Sequence, residues 1–290
     1  MFICSQCPRK CGVDRDRTVG VCGVKSGYKV ARAALHYWEE PCISGEEGSG
    51  TVFFSGCPLK CVFCQNSEIS RNCNGKEITE DRLIEIFKEL EDKGANNINL
   101  VSPTHYAGQL AATLSKYKPS VPVVYNTGGY DSVESLKLLD GLVDVYLTDI
   151  KYVSPNVSEK YSKARDYFVR CSEAVLEMRR QQREDIFENG LMKKGLIVRH
   201  LVLPGNVSQG MKMLDWVNEN LSNKTIVSLM GQYMPCAKAS EYPTINRRIS
   251  EREYDTVVCH AEKLGFENVY IQELDSSSEE YVPDFNLTGV

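Results

Sequence analysis

The sequence predicts an α/β fold: an open or partial (β/α)6 barrel over residues 51–290, with residues 1–50 as a small Cys-rich, metal-stapled appendage. Three observations carry this. Short β-type runs alternate with helix-periodic segments from Thr51 onward, the mark of parallel βα units. No glycine-rich dinucleotide fingerprint follows the first strand, which favours a barrel over a doubly wound sheet. The first 50 residues lack clear periodicity and end in the turn-rich run from Ser44 to Gly50.

Taken in order, residues 51–55 form a β-type run that stops at Gly56. Residues 79–93 are helical, because Leu83, Ile86, Phe87 and Leu90 recur at helix spacing. Glu80 and Asp81 suit its positive end, and Gly94 suits its stop. Strands follow at 97–101, 121–125 and 143–147, with helices at 107–117 and 132–139 between them. Residues 158–182 are helical, with a break expected near Asp166. A strand at 195–203, a helix at 207–221, a strand at 225–230, a helix at 250–264 and a strand at 268–272 complete the alternation. The acidic, Ser-rich stretch after Leu274 reads as a surface tail. In such a barrel, chemistry sits at the C-terminal ends of the strands.

Composition narrows the function classes. The 290 residues carry a formal net charge of -5, which argues against a general nucleic-acid binder. No apolar run is long enough to span a membrane. Residues 1–12 show neither an apolar signal core nor a cleavage site, so a cytoplasmic location is expected. Twelve cysteines then need an explanation other than a disulfide framework. Eight of them fall within the first 64 residues, which points to metal or iron–sulfur ligation.

The first strand runs into Gly56-Cys57-Pro58-Leu59-Lys60-Cys61-Val62-Phe63-Cys64-Gln65-Asn66. Its C-x3-C-x2-C spacing places three thiolates on one tight loop. Each can bind one iron of a cubane, which leaves the fourth iron open to a small molecule. A structural zinc ion would call for a fourth ligand.

This loop resembles the signature of the radical S-adenosylmethionine (SAM) superfamily, with Phe63 before the third cysteine. Gln65-Asn66 is similar to the Cys-His-Asn of the glycyl-radical activating branch, typified by pyruvate formate-lyase activating enzyme. The resemblance spans about residues 51–272. It implies a TIM-like partial barrel and a [4Fe-4S] cluster on Cys57, Cys61 and Cys64. It also implies SAM on the open iron, cleaved by one electron to a 5′-deoxyadenosyl radical that abstracts hydrogen. A one-electron donor such as flavodoxin or ferredoxin is implied as a partner. Phe63 and Asn66 are expected beside the cofactors.

Later strand ends supply further candidates. Ser102, Thr104 and His105 stand where the family usually has Gly-Gly-Glu against the SAM amino group, so one of them is expected to take over. His105 reads equally well as a helix-leading polar residue. Asn126, Thr127 and Gly128 resemble the family's Asp-Thr-Asn-Gly, and Asn126 keeps hydrogen-bonding power without the charge. Asp149 and Lys151 match its Asp-x-Lys. Their spacing of two puts both side chains on one face, where they serve the methionine end of SAM or pair structurally. Arg199 is expected to meet a carboxylate of SAM or substrate. Gln232 stands where the activating enzyme has a histidine near SAM. His200, Tyr233 and Cys236 are the candidate catalytic residues, with core packing as the alternative for His200 and Cys236.

Cys4-x2-Cys7-x3-Cys11-x10-Cys22 forms a separate four-thiolate set that fits Zn2+ or an auxiliary iron–sulfur cluster. Cys42 and Cys73 are alternative ligands, and Cys171 and Cys259 read as core. A radical SAM oxidoreductase is the function expected, with glycyl-radical activation of a partner protein as one form. Alternatives are modification of a peptide or small molecule, and a non-catalytic zinc or iron–sulfur interaction module.

Overall fold

The computed structural model describes residues 3–272, Leu274 and residues 283–290. Its strands are β1 (Tyr28–His36), β2 (Ser49–Phe54), β3 (Lys76–Ile78), β4 (Ile98–Val101) and β5 (Val123–Thr127). They continue as β6 (Val145–Asp149), β7 (Ile186–Glu188), β8 (Leu191–Leu201), β9 (Ile226–Met230) and β10 (Val269–Ile271). The helices are α1 (Pro41–Ser44), α2 (Ser67–Ser70), α3 (Glu80–Asp92), α4 (Ala107–Lys116) and α5 (Val133–Lys137). After them come α6 (Pro155–Ser162), α7 (Tyr167–Gln181), α8 (Val207–Asn220) and α9 (Glu251–Lys263). The break expected near Asp166 is the gap between α6 and α7, where Asp166 stands at the N-cap position of α7.

One sheet runs in the order β10-β9-β8-β6-β5-β4-β2-β1-β3. The strands from β2 to β10 along that path are parallel, while β1 and β3 add to it antiparallel. The sheet curls, because Phe53, Val101, Asn126, Asp149, Arg199 and Met230 from six of its strands line one cavity. A flat sheet would spread these side chains far apart. The parallel strands are buried along nearly their whole length, as helices on one face and a filled interior on the other require.

The boundary expected at residue 50 does not separate two bodies. β1 pairs with β2 from Val30–Phe54 to His36–Ser49, so the N-terminal segment extends the main sheet. The chain then turns beneath the barrel. Cys42 and Ile43 of α1 pack against Val124, Val145, Leu147, Ile197 and Ile226, and so plug its floor. This places Glu39 and Glu40 inside the barrel. Cys42 is thereby a core residue, not a ligand of the N-terminal cysteine set.

The stretch after Leu274 differs partly from the surface tail expected. Residues 275–282 lie outside the described residues. Beyond them the chain returns to the sheet: Leu287 N–H donates to Ala31 O (3.1 Å), and Ala33 N–H donates to Thr288 O (2.8 Å). Phe285 packs edge-on against Phe53, with ring centroids 5.4 Å apart.

Candidate active site

A cavity of about 250 Å³ opens at the C-terminal ends of the parallel strands. Cys57, Cys61 and Cys64 line it, carried on the loop that follows β2. The first turn of this loop is set by hydrogen bonds from Cys57 N–H to Cys22 O (3.1 Å) and from Cys64 N–H to Cys61 O (3.2 Å). Burial pushes the Cys57 thiol up to about 12 and the Cys64 thiol up to about 11, and repulsion among the three sulfurs adds to both. A cation held against the sulfurs would offset both effects.

Two hydroxyls are aimed at the sulfurs. Ser162 Oγ donates to Cys61 Sγ (3.0 Å) and Ser70 Oγ donates to Cys64 Sγ (3.3 Å). Ser162 is held in turn by Tyr152 OH (2.8 Å). Hydrogen bonds to cluster sulfurs stabilise the reduced, more negative state. Ser162→Ala is expected to lower the cluster's potential by about 40 mV, one hydrogen bond's worth for a single electron. A redox titration followed by electron paramagnetic resonance checks this, and an unchanged potential would show that the hydroxyl does not reach the cluster.

Opposite the cysteines stands a charged network built from different strands. Arg199 faces Asp149 across the β8–β6 ladder. Its Nε donates to Asp149 Oδ1 (2.9 Å), one terminal nitrogen to Glu39 Oε2 (3.1 Å) and the other to Asn126 Oδ1 (2.6 Å). Asn126 Nδ2 and Asn99 Nδ2 both donate to Glu39 Oε1 (3.1 and 3.2 Å). Lys151 Nζ donates to the other oxygen of Asp149. Burial alone would raise the Asp149 carboxyl, but Lys151 and then Arg199 hold it below the usual range. Glu39 and Glu40 are raised, by burial first; Arg199 opposes this, while Asp149 adds to Glu39 and Glu39 adds to Glu40. Among the described residues, Glu40 Oε2 accepts no hydrogen bond, and it lies 3.7 Å from Arg199 as an ion pair.

The expected site residues divide into three groups. Asn66, Ser102 and Gln232 line the cavity, and no hydrogen bond from their side chains to the described residues is formed. They are free to serve a ligand. Ser102 is held at φ 58°, a left-handed conformation unusual for a residue other than glycine. Asn126, Thr127, Asp149, Lys151 and Arg199 also line the cavity, but they are bonded to one another or to buried neighbours. Arg199 was expected to meet a ligand carboxylate. Instead its fork is occupied by Asp149, Glu39 and Asn126, which it gathers into one wall. Gly128 and Phe63 complete the lining. A side chain on Gly128 would meet Leu59 and Lys151 at 3.2 Å.

The third group lies outside the cavity. Thr104 Oγ1 shares a hydrogen bond with Thr127 Oγ1 (3.0 Å), within a buried network around Asp131. His105 Nε2 bonds Ser55 O (2.9 Å), and His200 Nδ1 bonds Ile150 O (2.6 Å). Tyr233 OH donates to Ile245 O (2.7 Å), and its ring stands 5.9 Å from that of Phe63. Cys236 Sγ donates to Phe63 O (3.2 Å). None of these five is among the cavity-lining residues, and each bonds a neighbour of the chain. Cys259 is exposed, while Cys171 is buried as expected.

The two histidines give a pH signature. Burial holds His105 at about 3 and His200 at about 4, well below the ordinary 6.5. Both are neutral in the folded chain, whereas the unfolded chain protonates them below about pH 6.5. Stability from these groups is therefore present above 6.5 and lost as pH falls towards 4. Each contributes a slope of up to about 1.4 kcal/mol per pH unit in that window. His200→Asn is expected to flatten the measured slope between pH 6.5 and 5 by that amount. An unaltered slope in urea titrations would refute it.

Sequence reasoning missed Glu39, Glu40, Ser70 and Ser162. The acids follow a strand that the N-terminal segment was not expected to contain. The serines become visible only when α2 and α6 are packed against the loop.

Comparison with known proteins agrees with this geometry. The family model "Radical SAM superfamily" matches residues 51–205, just over half of the chain. The uncharacterized protein MJ0674 of Methanocaldococcus jannaschii is 35% identical over 279 residues, covering 92% of this chain and 76% of that protein. Two crystal structures of Streptococcus suis SuiB share the fold. The complex with precursor peptide SuiA has TM-score 0.52 at 14% identity over 77% of this chain and 48% of that one. The complex with SAM has TM-score 0.51 at 13% identity over 79% and 51%. This chain thus spans about half the length of those solved structures. It belongs to the radical SAM superfamily, the enzymes that use a [4Fe-4S] cluster and S-adenosylmethionine.

Proposed function

We propose that this chain is a radical SAM oxidoreductase acting on a peptide or protein, with Cys57, Cys61 and Cys64 as the cluster ligands. One observation carries the reading: three thiols on one loop share a cavity with polar strand-end residues whose side chains are uncommitted. When bound, the cluster and SAM would supply a one-electron cleavage that starts hydrogen abstraction, with the electron drawn from a carrier of the flavodoxin or ferredoxin class.

The chain's own residues orient and protect. Asn66, Ser102 and Gln232 offer hydrogen bonds to the polar ends of SAM. Glu40 Oε2, buried and without a hydrogen bond, suits the SAM ammonium or a cationic group of the substrate. Leu59, Phe63, Phe53, Val101, Leu201 and Met230 line the rest and exclude water, which keeps a carbon radical from side reactions. Arg199 and Lys151 fix Asp149 and Glu39, so the wall is organised before ligand arrives.

A peptide substrate is favoured by the fold shared with SuiB, which was crystallised with its precursor peptide. Glycyl-radical activation of a partner protein is the narrower form of this reading. The test uses extract from cells grown in D2O, split into macromolecular and small-molecule fractions. Deuterium is expected in 5′-deoxyadenosine only when the macromolecular fraction is supplied. Deuterium arriving only from the small-molecule fraction would overturn the peptide reading.

A further inference from the structure

Glu40 ends the segment that crosses from β1 to α1, so its side chain enters the barrel from the floor, whereas Cys57, Cys61 and Cys64 stand on the loop after β2. It is buried and lines the cavity, and its Oε2 accepts no hydrogen bond among the described residues. Arg199 lies 3.7 Å from that oxygen, but its fork already serves Asp149, Glu39 and Asn126. Burial pushes the Glu40 carboxyl up; Arg199 opposes this and Glu39 adds to it. Three carboxyl groups of the cavity, Glu39, Glu40 and Asp149, thus share two cations, Arg199 and Lys151.

Two further oxygens lack a partner on the same wall. Ser228 is paired with Arg199 on one side of β9 and with Tyr270 on the other, so its side chain faces the lumen together with that of Arg199. Ser228 Oγ is near enough to Glu40 to ease its ionisation, yet it forms no hydrogen bond of ordinary geometry among the described residues. Tyr270 feels the Glu40 charge as well. Gln272, two residues further along, lines the cavity, and its Oε1 is buried without a hydrogen bond among the described residues. Tyr254 OH accepts the Gln272 N–H (3.0 Å) and so fixes its backbone.

Buried polar atoms of folded chains are paired, so three together point to a donor that arrives with a ligand. A water molecule brings hydrogen bonds but leaves the excess of carboxylate uncompensated. An ammonium brings three N–H donors, no acceptor and the missing charge. We propose that Glu40, with Ser228 and Gln272, receives a primary ammonium group of the substrate, carried by a lysine side chain of the peptide. Leu201 and Met230, paired two residues beyond Arg199 and Ser228, line the cavity and offer the apolar surface that a lysine stem needs.

The lysine rests on the peptide reading, the ammonium site does not, and the test separates them. Anaerobically reconstituted full-length chain is equilibrated with Nα-acetyl-lysine methylamide or with Nα-acetyl-norleucine methylamide, which lacks the ammonium. Binding is measured by equilibrium dialysis at neutral pH. Wild type is expected to bind the lysine probe at least about tenfold more tightly, the worth of a charge-assisted hydrogen bond. Glu40→Gln is expected to lose that preference. Gln272→Leu is expected to reduce it severalfold, and decides the matter if Glu40→Gln unfolds. Equal binding of the two probes by wild type, or a preference kept in full by the variants, would overturn the proposal. Displacement of the lysine probe by saturating SAM would overturn it too, by assigning the carboxylate to SAM. Deuterium arriving only from small molecules, with the lysine preference intact, would remove the peptide and leave the ammonium site standing.

Discussion

Replacing Arg199 by Met is expected to destabilise the fold by about 3–5 kcal/mol, the cost of stranding buried charge. Arg199 is the shared partner of Glu39, Glu40 and Asp149. Without it, three buried carboxylates face a single Lys151. A domain of this kind has about 5–15 kcal/mol in hand, so the loss is a large fraction of the total. Arg199→Lys should recover less than half of it, because an ammonium cannot reach Asp149, Glu39 and Asn126 from one planar fork. Urea unfolding checks both variants. A midpoint unchanged in Arg199→Met would mean that the carboxylates are protonated together and that no counter-charge is required.

Cys61→Ala has the largest expected effect on activity: SAM cleavage falls to the uncatalysed background. Cys61 is the middle cysteine of the loop, is buried, and is the sulfur that Ser162 reaches. Two thiolates cannot hold three irons of a cubane, so the cluster is lost and with it the electron. Cys259→Ser, at an exposed position on α9, should leave cleavage at the wild-type rate. Product analysis for 5′-deoxyadenosine reads both. Retained cleavage in Cys61→Ala would remove this loop from the mechanism.

Much of the barrel was legible because its helices are strongly periodic. α3 shows this best: Leu83, Ile86, Phe87 and Leu90 are all buried. The strands that follow Thr51 in the expected alternation were found, and two of them, β5 and β6, were placed two residues early. β5 and β6 run on through Asn126-Thr127 and Thr148-Asp149 because polar residues at strand ends stay in the ladder when they line a site. The β7–β8 hairpin carried a readable signal, Asn189-Gly190 with both residues at positive φ, that alternation of βα units obscured. β1 was hidden by a weak burial pattern; only its pairing with β2 explains it.

At the site, residues read from local motif fared differently from those read by position. The cysteine loop and the Asp149/Lys151 spacing are local features, and the fold brings them to one cavity. His105, His200, Tyr233 and Cys236 were chosen for chemical type near a strand end, and backbone partners turn each of them away. Glu39 and Glu40 reach the site from across the barrel floor, a relation that no local pattern records.

The central claim is that this cavity binds a reducible cluster and SAM together. Its most direct measurement is the product of anaerobically reconstituted, chemically reduced chain mixed with SAM. The expected result is 5′-deoxyadenosine and methionine in equal amounts, accompanied by a change in the cluster's paramagnetic signal when SAM is added. Intact SAM in the presence of a fully reduced cluster would contradict the account.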